Sequence, residues 1–210
     1  MSVICPTITA ENPHTYREQM QRVSGFASRI HIDLMDGIFA PNKSLGIENV
    51  WLAEGLINDI HVMYQQPEEI LSDLIALQPN LVSVHAESDC NVEEFARDLH
   101  TAGIKCGLAV FPETTIESVA TILPHVDQLL IFSGNLGYQG GSVANLALLE
   151  KIPQAREINS QLEFAWDGGV NHENVVELAS KGVTVINAGG YIHHASNPEQ
   201  AYRKLTNLLT

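Results

Sequence analysis

Eight short runs rich in β-branched and aliphatic residues alternate with longer amphipathic stretches along the whole chain, and this alternation constrains the fold more than any other feature. The runs cover residues 3–7, 29–33, 59–63, 81–85, 105–110, 128–132, 163–167 and 184–187. Helical patterns occupy 13–23, 67–77, 92–102, 116–123, 145–159, 174–181 and 198–208, whereas the second connection, through 47–56, carries only a weak helical pattern. Strands alternating with helices read as repeated βα units and a parallel sheet. Eight such units in 210 residues fit a minimal closed (β/α)8 TIM barrel. An open doubly wound sheet is the alternative, but it gathers its site at one switch point. Here polar residues finish several different strands, which favours the barrel. No linker or shift in composition divides the chain, so residues 1–210 are expected to form one catalytic domain.

Composition excludes several classes of partner. With 11 basic and 25 acidic residues the formal net charge is -14, and no basic run offsets it. Such a surface repels nucleic acid and anionic lipid, so an anionic substrate must be held by a metal, backbone N–H groups or helix N-termini. The cysteines, Cys5, Cys90 and Cys106, are odd in number and lack CxxC spacing, which predicts reduced thiols, with Cys5 and Cys106 packed in the core. The first residues show no basic region followed by an apolar one, and no segment approaches the ~20 apolar residues of a membrane span. A cytoplasmic protein is expected.

In a barrel of this kind the working residues sit at the C-terminal ends of strands. Those ends carry His31 and Asp33 on strand 2, His61 on strand 3, His85 on strand 4 and Asp167 on strand 7. His31 and Asp33 are two apart, so their side chains share a face. A single His-x-Asp is more often a hydrogen-bonded pair than a metal site. Four such groups at the mouth ends of three strands are another matter, because unpaired buried charge is costly. Two imidazoles and two carboxylates form a mixed N/O set suited to Zn, Fe(II), Mn or Co. Glycine-containing turns follow strands 6, 7 and 8, at 137–141, 168–169 and 189–190. Glycine lets backbone approach a ligand closely, and barrel phosphate sites lie at the last strands.

The run HIDLMDGIFAPN (31–42) resembles the signature of ribulose-phosphate 3-epimerases, H-[IV]-D-[VL]-M-D-G-x-[FY]-[VA]-P-N. The similarity continues in order through IHVM (60–63), LVSVHAE (81–87), KCGLAVFPET (105–114), LLIFSGNLGYQGG (129–141), FAWDGGVN (164–171) and NAGGYI (187–192). The resemblance implies one divalent metal ion held by His31, Asp33, His61 and Asp167, with Asp33 and Asp167 also the two acid–base groups. It implies substrate contacts from Thr7, His61, Gly137, Tyr138, Gln139, Gly140, Gly168, Gly169, Gly189 and Gly190, the glycines lining the phosphate. Two carboxylates can remove a proton from one face of a carbon beside a carbonyl and return one to the other. A metal ion stabilises the enediolate between the two transfers.

Departures from the family pattern fall near the substrate positions. Thr7 replaces a serine, Gly190 another serine, Phe132 a methionine and Trp166 a small aliphatic residue, while the lid reads Asn135-Leu136-Gly137-Tyr138-Gln139-Gly140-Gly141. Met35 and Met63 match family methionines, or simply fill the barrel mouth. The resulting expectation is a metal-dependent 3-epimerase of the pentose phosphate pathway, interconverting D-ribulose 5-phosphate and D-xylulose 5-phosphate, and a homo-oligomer. A D-allulose-6-phosphate 3-epimerase and an inactive sugar-phosphate-binding barrel are the alternatives. The adjacent His193 and His194 are expected on the surface, and His85 either faces the site or is held by Glu87 or a backbone group. The Glu68-Glu69 and Glu93-Glu94 pairs read as solvated helix surface.

Overall fold

A computed structural model describes residues 2–209. Eight strands close into one barrel in sequence order: β1 (Val3–Thr9), β2 (Arg29–Met35), β3 (Ile57–Met63), β4 (Leu81–His85), β5 (Lys105–Val110), β6 (Gln128–Phe132), β7 (Glu163–Asp167) and β8 (Val185–Ala188). Every neighbouring pair is parallel, including β8 with β1. The chain is a (β/α)8 barrel, as the alternation of its sequence predicts. β1 and β2 each run two residues further than expected, which carries Thr9 and Met35 onto the mouth.

Alternation along the strands builds two cores. Outward residues such as Ile30, Ile32, Leu34, Ile60 and Val62 pack beneath the helices in the larger cluster. Inward residues Cys5, Ala109, Leu130, Ala165 and Val185 form a small apolar plug inside the barrel. Buried Cys5 and Cys106 are both free thiols, as expected.

The helical layer is α1 (Pro13–Val23), α2 (Leu71–Leu77), α3 (Val92–Thr101), α4 (Lys151–Ile158), α5 (Val175–Ser180), α6 (Gly190–His193) and α7 (Pro198–Asn207). α1 starts where Asn12 accepts hydrogen bonds from the N–H groups of His14 and Thr15, with proline in its first turn. Three expected helices are broken, the first over 67–77, where a 3-10 turn (Pro67–Ile70) precedes α2. Over 145–159 a 3-10 turn (Leu146–Glu150) precedes α4, because Pro153 lacks an N–H and its ring opposes a continuous helix through Leu149. Over 116–123 only the 3-10 turns Glu117–Val119 and Leu123–His125 form. The β-branched run Thr114, Thr115, Ile116 followed by Val119, Thr121 and Ile122 disfavours helix, and Pro124 closes it. The connection through 47–56 likewise holds only the turn Ile47–Asn49. Among the described residues no helix is long and apolar enough to cross a membrane.

Candidate active site

Strand register brings the expected residues to one level. Thr7 lies beside His31, Asp33 beside His61, Phe132 beside Asp167, and Asp167 beside Asn187. Paired residues on parallel strands point to the same side, so these side chains meet inside the mouth. One ligand atom from each of His31, Asp33, His61 and Asp167 lies within 4.8 Å of all the others. His31 Nε2 and His61 Nδ1 each lie 3.3 Å from Asp33 Oδ1, and 3.7 and 4.0 Å from Asp167 Oδ2. Ligands around a tetrahedral ion with bonds of about 2.1 Å are about 3.4 Å apart, so the four atoms need only small movements to share one ion. His31 Nε2 is buried and makes no hydrogen bond. The donor set and this orphaned nitrogen both fit a divalent cation.

Electrostatics point the same way. Burial raises the Asp33 carboxyl, but the imidazoles of His31 and His61 beside it outweigh burial and hold the group well below the usual carboxylate range. Burial disfavours a charged His31, yet Asp33 and Asp167 still raise its pKa. Burial, reinforced by the Asp33 charge and opposed by His31, pushes Asp167 up to about 6. The centre attracts positive charge and has no lysine or arginine within it.

Above these groups is a cavity of about 230 Å³. Its wall includes Asp33, Asp167 and every expected substrate contact except His61, which lies fully buried beneath it. The Thr7 hydroxyl is buried and without a partner. No lysine or arginine lines the cavity among the described residues, and His194 is the basic side chain on its wall. The glycines are shaped by packing as much as by ligand access. Gly168 and Gly169 have φ of +111° and +68°, and a Cβ on either would collide with the backbone of Gly134 or Ala144. A Cβ on Gly190 would stand 2.7 Å from Gly140 Cα.

The lid is tied down on both sides. Asn42 Nδ2 donates to the Gly137 carbonyl at 2.8 Å, and Gln139 Nε2 donates to the Thr7 carbonyl at 2.8 Å and to Gln19 Oε1 at 3.3 Å. Leu136 packs against the Met35–Ala40–Met63 cluster.

Several expectations are corrected. Trp166 is not beside the substrate: it is buried in the outer core, and its indole N–H donates to the Gly168 carbonyl at 2.8 Å. Its parity follows from Asp167, whose side chain points inward. His193 is buried rather than on the surface, with neither ring nitrogen hydrogen-bonded, because the short helix α6 turns it toward the interior; its neighbour His194 is exposed. His85 is held by Glu87 at 3.2 Å, one of the two alternatives left open; it is fully buried and off the cavity wall, reaching the site only through His61 at 2.9 Å. Thr9 and Asn187 were not singled out from sequence. The Thr9 hydroxyl donates to Asp33 Oδ2 at 2.7 Å, and the Asn187 amide lies 3.2 Å from His31 Nδ1. Thr9 was discoverable, since it is two residues from Thr7 on one strand; Asn187 gives no local signal.

Fold and site together define a barrel enzyme with an imidazole–carboxylate centre under a glycine-rich lid. The sequence profile of the Ribulose-phosphate 3 epimerase family matches residues 3–193. Ribulose-phosphate 3-epimerase of Helicobacter pylori is 30% identical over 215 residues, covering 99% of this chain and 98% of the relative. That of Aquifex aeolicus is 28% identical over 218 residues, covering 100% of this chain and 97% of the relative. Among solved structures, 3-hexulose-6-phosphate synthase from Salmonella typhimurium superposes with a TM-score of 0.74 at 16% identity, covering 99% of this chain and 98% of that one, a likeness of fold. The chain belongs to the ribulose-phosphate 3-epimerase family, a family of carbohydrate isomerases.

Proposed function

We propose that this chain acts as one domain, a metal-dependent 3-epimerase that interconverts D-ribulose 5-phosphate and D-xylulose 5-phosphate. The convergence of His31, Asp33, His61 and Asp167 within 4.8 Å at the floor of the cavity carries the reading. A divalent ion bound there, whether Zn, Fe(II), Mn or Co, would supply Lewis-acid stabilisation of negative charge on substrate oxygens. His31 and His61 would hold that ion through nitrogen, and Asp33 and Asp167 would bring the balancing charge.

The two aspartates, on β2 and β7, both face the cavity. One takes the proton from carbon 3 and leaves an enediolate; the other returns a proton to the opposite face, and the roles exchange in the reverse direction. Thr9 holds Asp33 Oδ2 in position. The unpartnered Thr7 hydroxyl is placed to meet a substrate oxygen. With no lysine or arginine on the wall, backbone N–H groups of the turns at 137–141, 168–169 and 189–190 hold the phosphate. The family membership of the chain supports the phosphorylated ketose as substrate.

Metal analysis of purified protein, with assay of pentulose and hexulose phosphates, tests this reading. One divalent ion per chain and faster epimerisation of D-ribulose 5-phosphate is the expected result. Faster turnover of D-allulose 6-phosphate would move the substrate, and absence of both metal and turnover would leave only a sugar-phosphate-binding barrel.

A further inference from the structure

Two imidazoles and a carboxylate extend outward from the proposed metal centre. His61 Nε2 is 2.9 Å from His85 Nε2, and His85 Nδ1 is 3.2 Å from Glu87 Oε2. The other oxygen of Glu87 accepts hydrogen bonds from the Phe111 backbone N–H at 2.9 Å and from the Thr114 hydroxyl. Both rings are fully buried, and His85 is enclosed by Phe39, Phe111 and Phe132. No step of the proposed chemistry uses His85 or Glu87.

We infer that Glu87 and His85 are positioning residues that fix the proton arrangement of His61 and so make Nδ1 its ligand atom. The inference rests on the metal reading above. A ligating nitrogen must be bare, and His61 turns Nδ1 toward Asp33 and Asp167. Its single N–H then lies on Nε2, where among the described residues the acceptor in reach is Nε2 of His85. His85 must therefore carry its own N–H on Nδ1, which faces Glu87. A carboxylate can only accept. Each donor in the series meets one acceptor, and Glu87 sets the direction of the whole chain. Partners of this kind typically change metal affinity 10- to 100-fold, on the order of the losses seen when second ligands of metal-bound histidines are removed.

The carboxylate's isostere provides a sharp test. In Glu87→Gln the Phe111 N–H still needs an acceptor, so the amide oxygen takes the Oε1 place and the amide NH₂ faces His85. That donor forces the proton of His85 onto Nε2, which in turn demands a bare Nε2 on His61 and places N–H on Nδ1. The series stays fully hydrogen-bonded but runs backwards, against metal.

The experiment uses zinc-loaded, ¹⁵N-labelled protein, long-range ¹H–¹⁵N spectra of the histidine rings, and zinc affinity from chelator competition. Wild type should show zinc on Nδ1 of His61, with N–H on its Nε2 and on Nδ1 of His85. Glu87→Gln should bind zinc at least about tenfold more weakly, with the thermal midpoint of the zinc-free protein little changed. The second variant, His85→Phe, fits an aromatic surround and should also weaken zinc by removing the acceptor. Wild type that binds no zinc sinks the metal reading itself. Wild-type zinc affinity in Glu87→Gln, or zinc on Nε2 of His61, overturns this inference alone.

Discussion

The barrel interior holds two polar layers on the same strands, two to four residues apart, and they solve burial of charge in opposite ways. In the deeper layer Arg29 Nε lies 2.5 Å from Asp59, its two terminal nitrogens lie 2.9 and 2.8 Å from the oxygens of Glu163, and Gln128 Nε2 donates to Glu163 at 2.7 Å. That layer carries its own cation in Arg29, with Asp59 Oδ1 left without a hydrogen-bond partner. Two to four residues further along β2, β3 and β7 stand His31, Asp33, His61 and Asp167, with no fixed cation among them. On the proposed reading the upper layer takes its cation from solvent, whereas the lower one carries Arg29. Stability is built into one and loadable chemistry into the other, so variants in the two layers should fail differently.

The largest effects belong to the upper layer. Asp33→Asn and Asp167→Asn should each lower turnover by about 100- to 10,000-fold, while urea denaturation of the metal-free proteins shows no comparable loss of stability. Because both residues are proposed ligands, metal content is measured alongside. Turnover in deuterium oxide should place deuterium at carbon 3 for wild type, and metal-loaded variants should favour exchange of opposite epimers. Two metal-loaded variants that interconvert the epimers at near wild-type rate would remove the two-base mechanism.

The lower layer should show the reverse. Arg29→Met strands the Asp59 and Glu163 carboxylates and should cost about 3–5 kcal/mol of unfolding free energy. Adding Asp59→Asn and Glu163→Gln should restore much of it, since what hurts is uncompensated charge rather than lost contact. Any folded Arg29→Met protein should keep the metal affinity of wild type. A large drop in affinity without loss of stability would mean that the two layers are not independent.

The difference between the layers also explains what could be read from sequence. His31, Asp33 and His61 lie within short strands whose period of two fixes their direction, and Asp167 shares a motif with two glycines. The deep layer is equally regular, yet Arg29 and Glu163 open their strands and Asp59 is third in β3, where no motif marks them and partners come from strands 30 and 134 residues away. Trp166 was misplaced because its neighbour's role was read without its parity. The broken helices over 116–123 and 145–159 trace to Pro124, Pro153 and runs of β-branched residues, which amphipathic spacing alone does not weigh. His193 was misplaced because adjacency says only that two residues diverge, not which one a short helix turns inward.

His193 belongs to neither layer and has neither kind of partner. Burial, helped by the charges of Arg22 and His194 and only partly opposed by the nearby Thr7 backbone, lowers its pKa from 6.5 to about 4. The unfolded chain therefore takes up this proton first as pH falls. Stability is fully present above about pH 6.5, is lost progressively down to about pH 4, and does not fall further from this group below that. The loss is on the order of 3 kcal/mol at most. His193→Phe should flatten that part of the stability–pH curve and be close to neutral at pH 8, because neither ring nitrogen has a bond to lose. Chemical denaturation at pH 8 and pH 5 measures both terms, and an unchanged slope would refute the assignment.

The smallest effect should come from the lid, where the comparison of layers meets binding. Gln139→Ala removes the ties to Thr7 and Gln19 but leaves the Asn42–Gly137 bond and the Leu136 packing in place. A hydrogen bond of this kind contributes about 0.5–1.5 kcal/mol, and 1.4 kcal/mol is about tenfold in an equilibrium constant. The lid lies on the proposed phosphate side of the cavity rather than over the four-residue centre, so on that reading its closure would stabilise bound substrate and transition state alike. Uniform weakening of that kind raises KM and leaves kcat almost unchanged. Gln139→Ala should accordingly raise KM by about two- to tenfold, with zinc affinity and deuterium incorporation at carbon 3 as in wild type. If kcat falls instead while KM holds, Gln139 acts on the chemistry through Thr7, and the lid would have to be counted as part of the upper layer rather than as its cover.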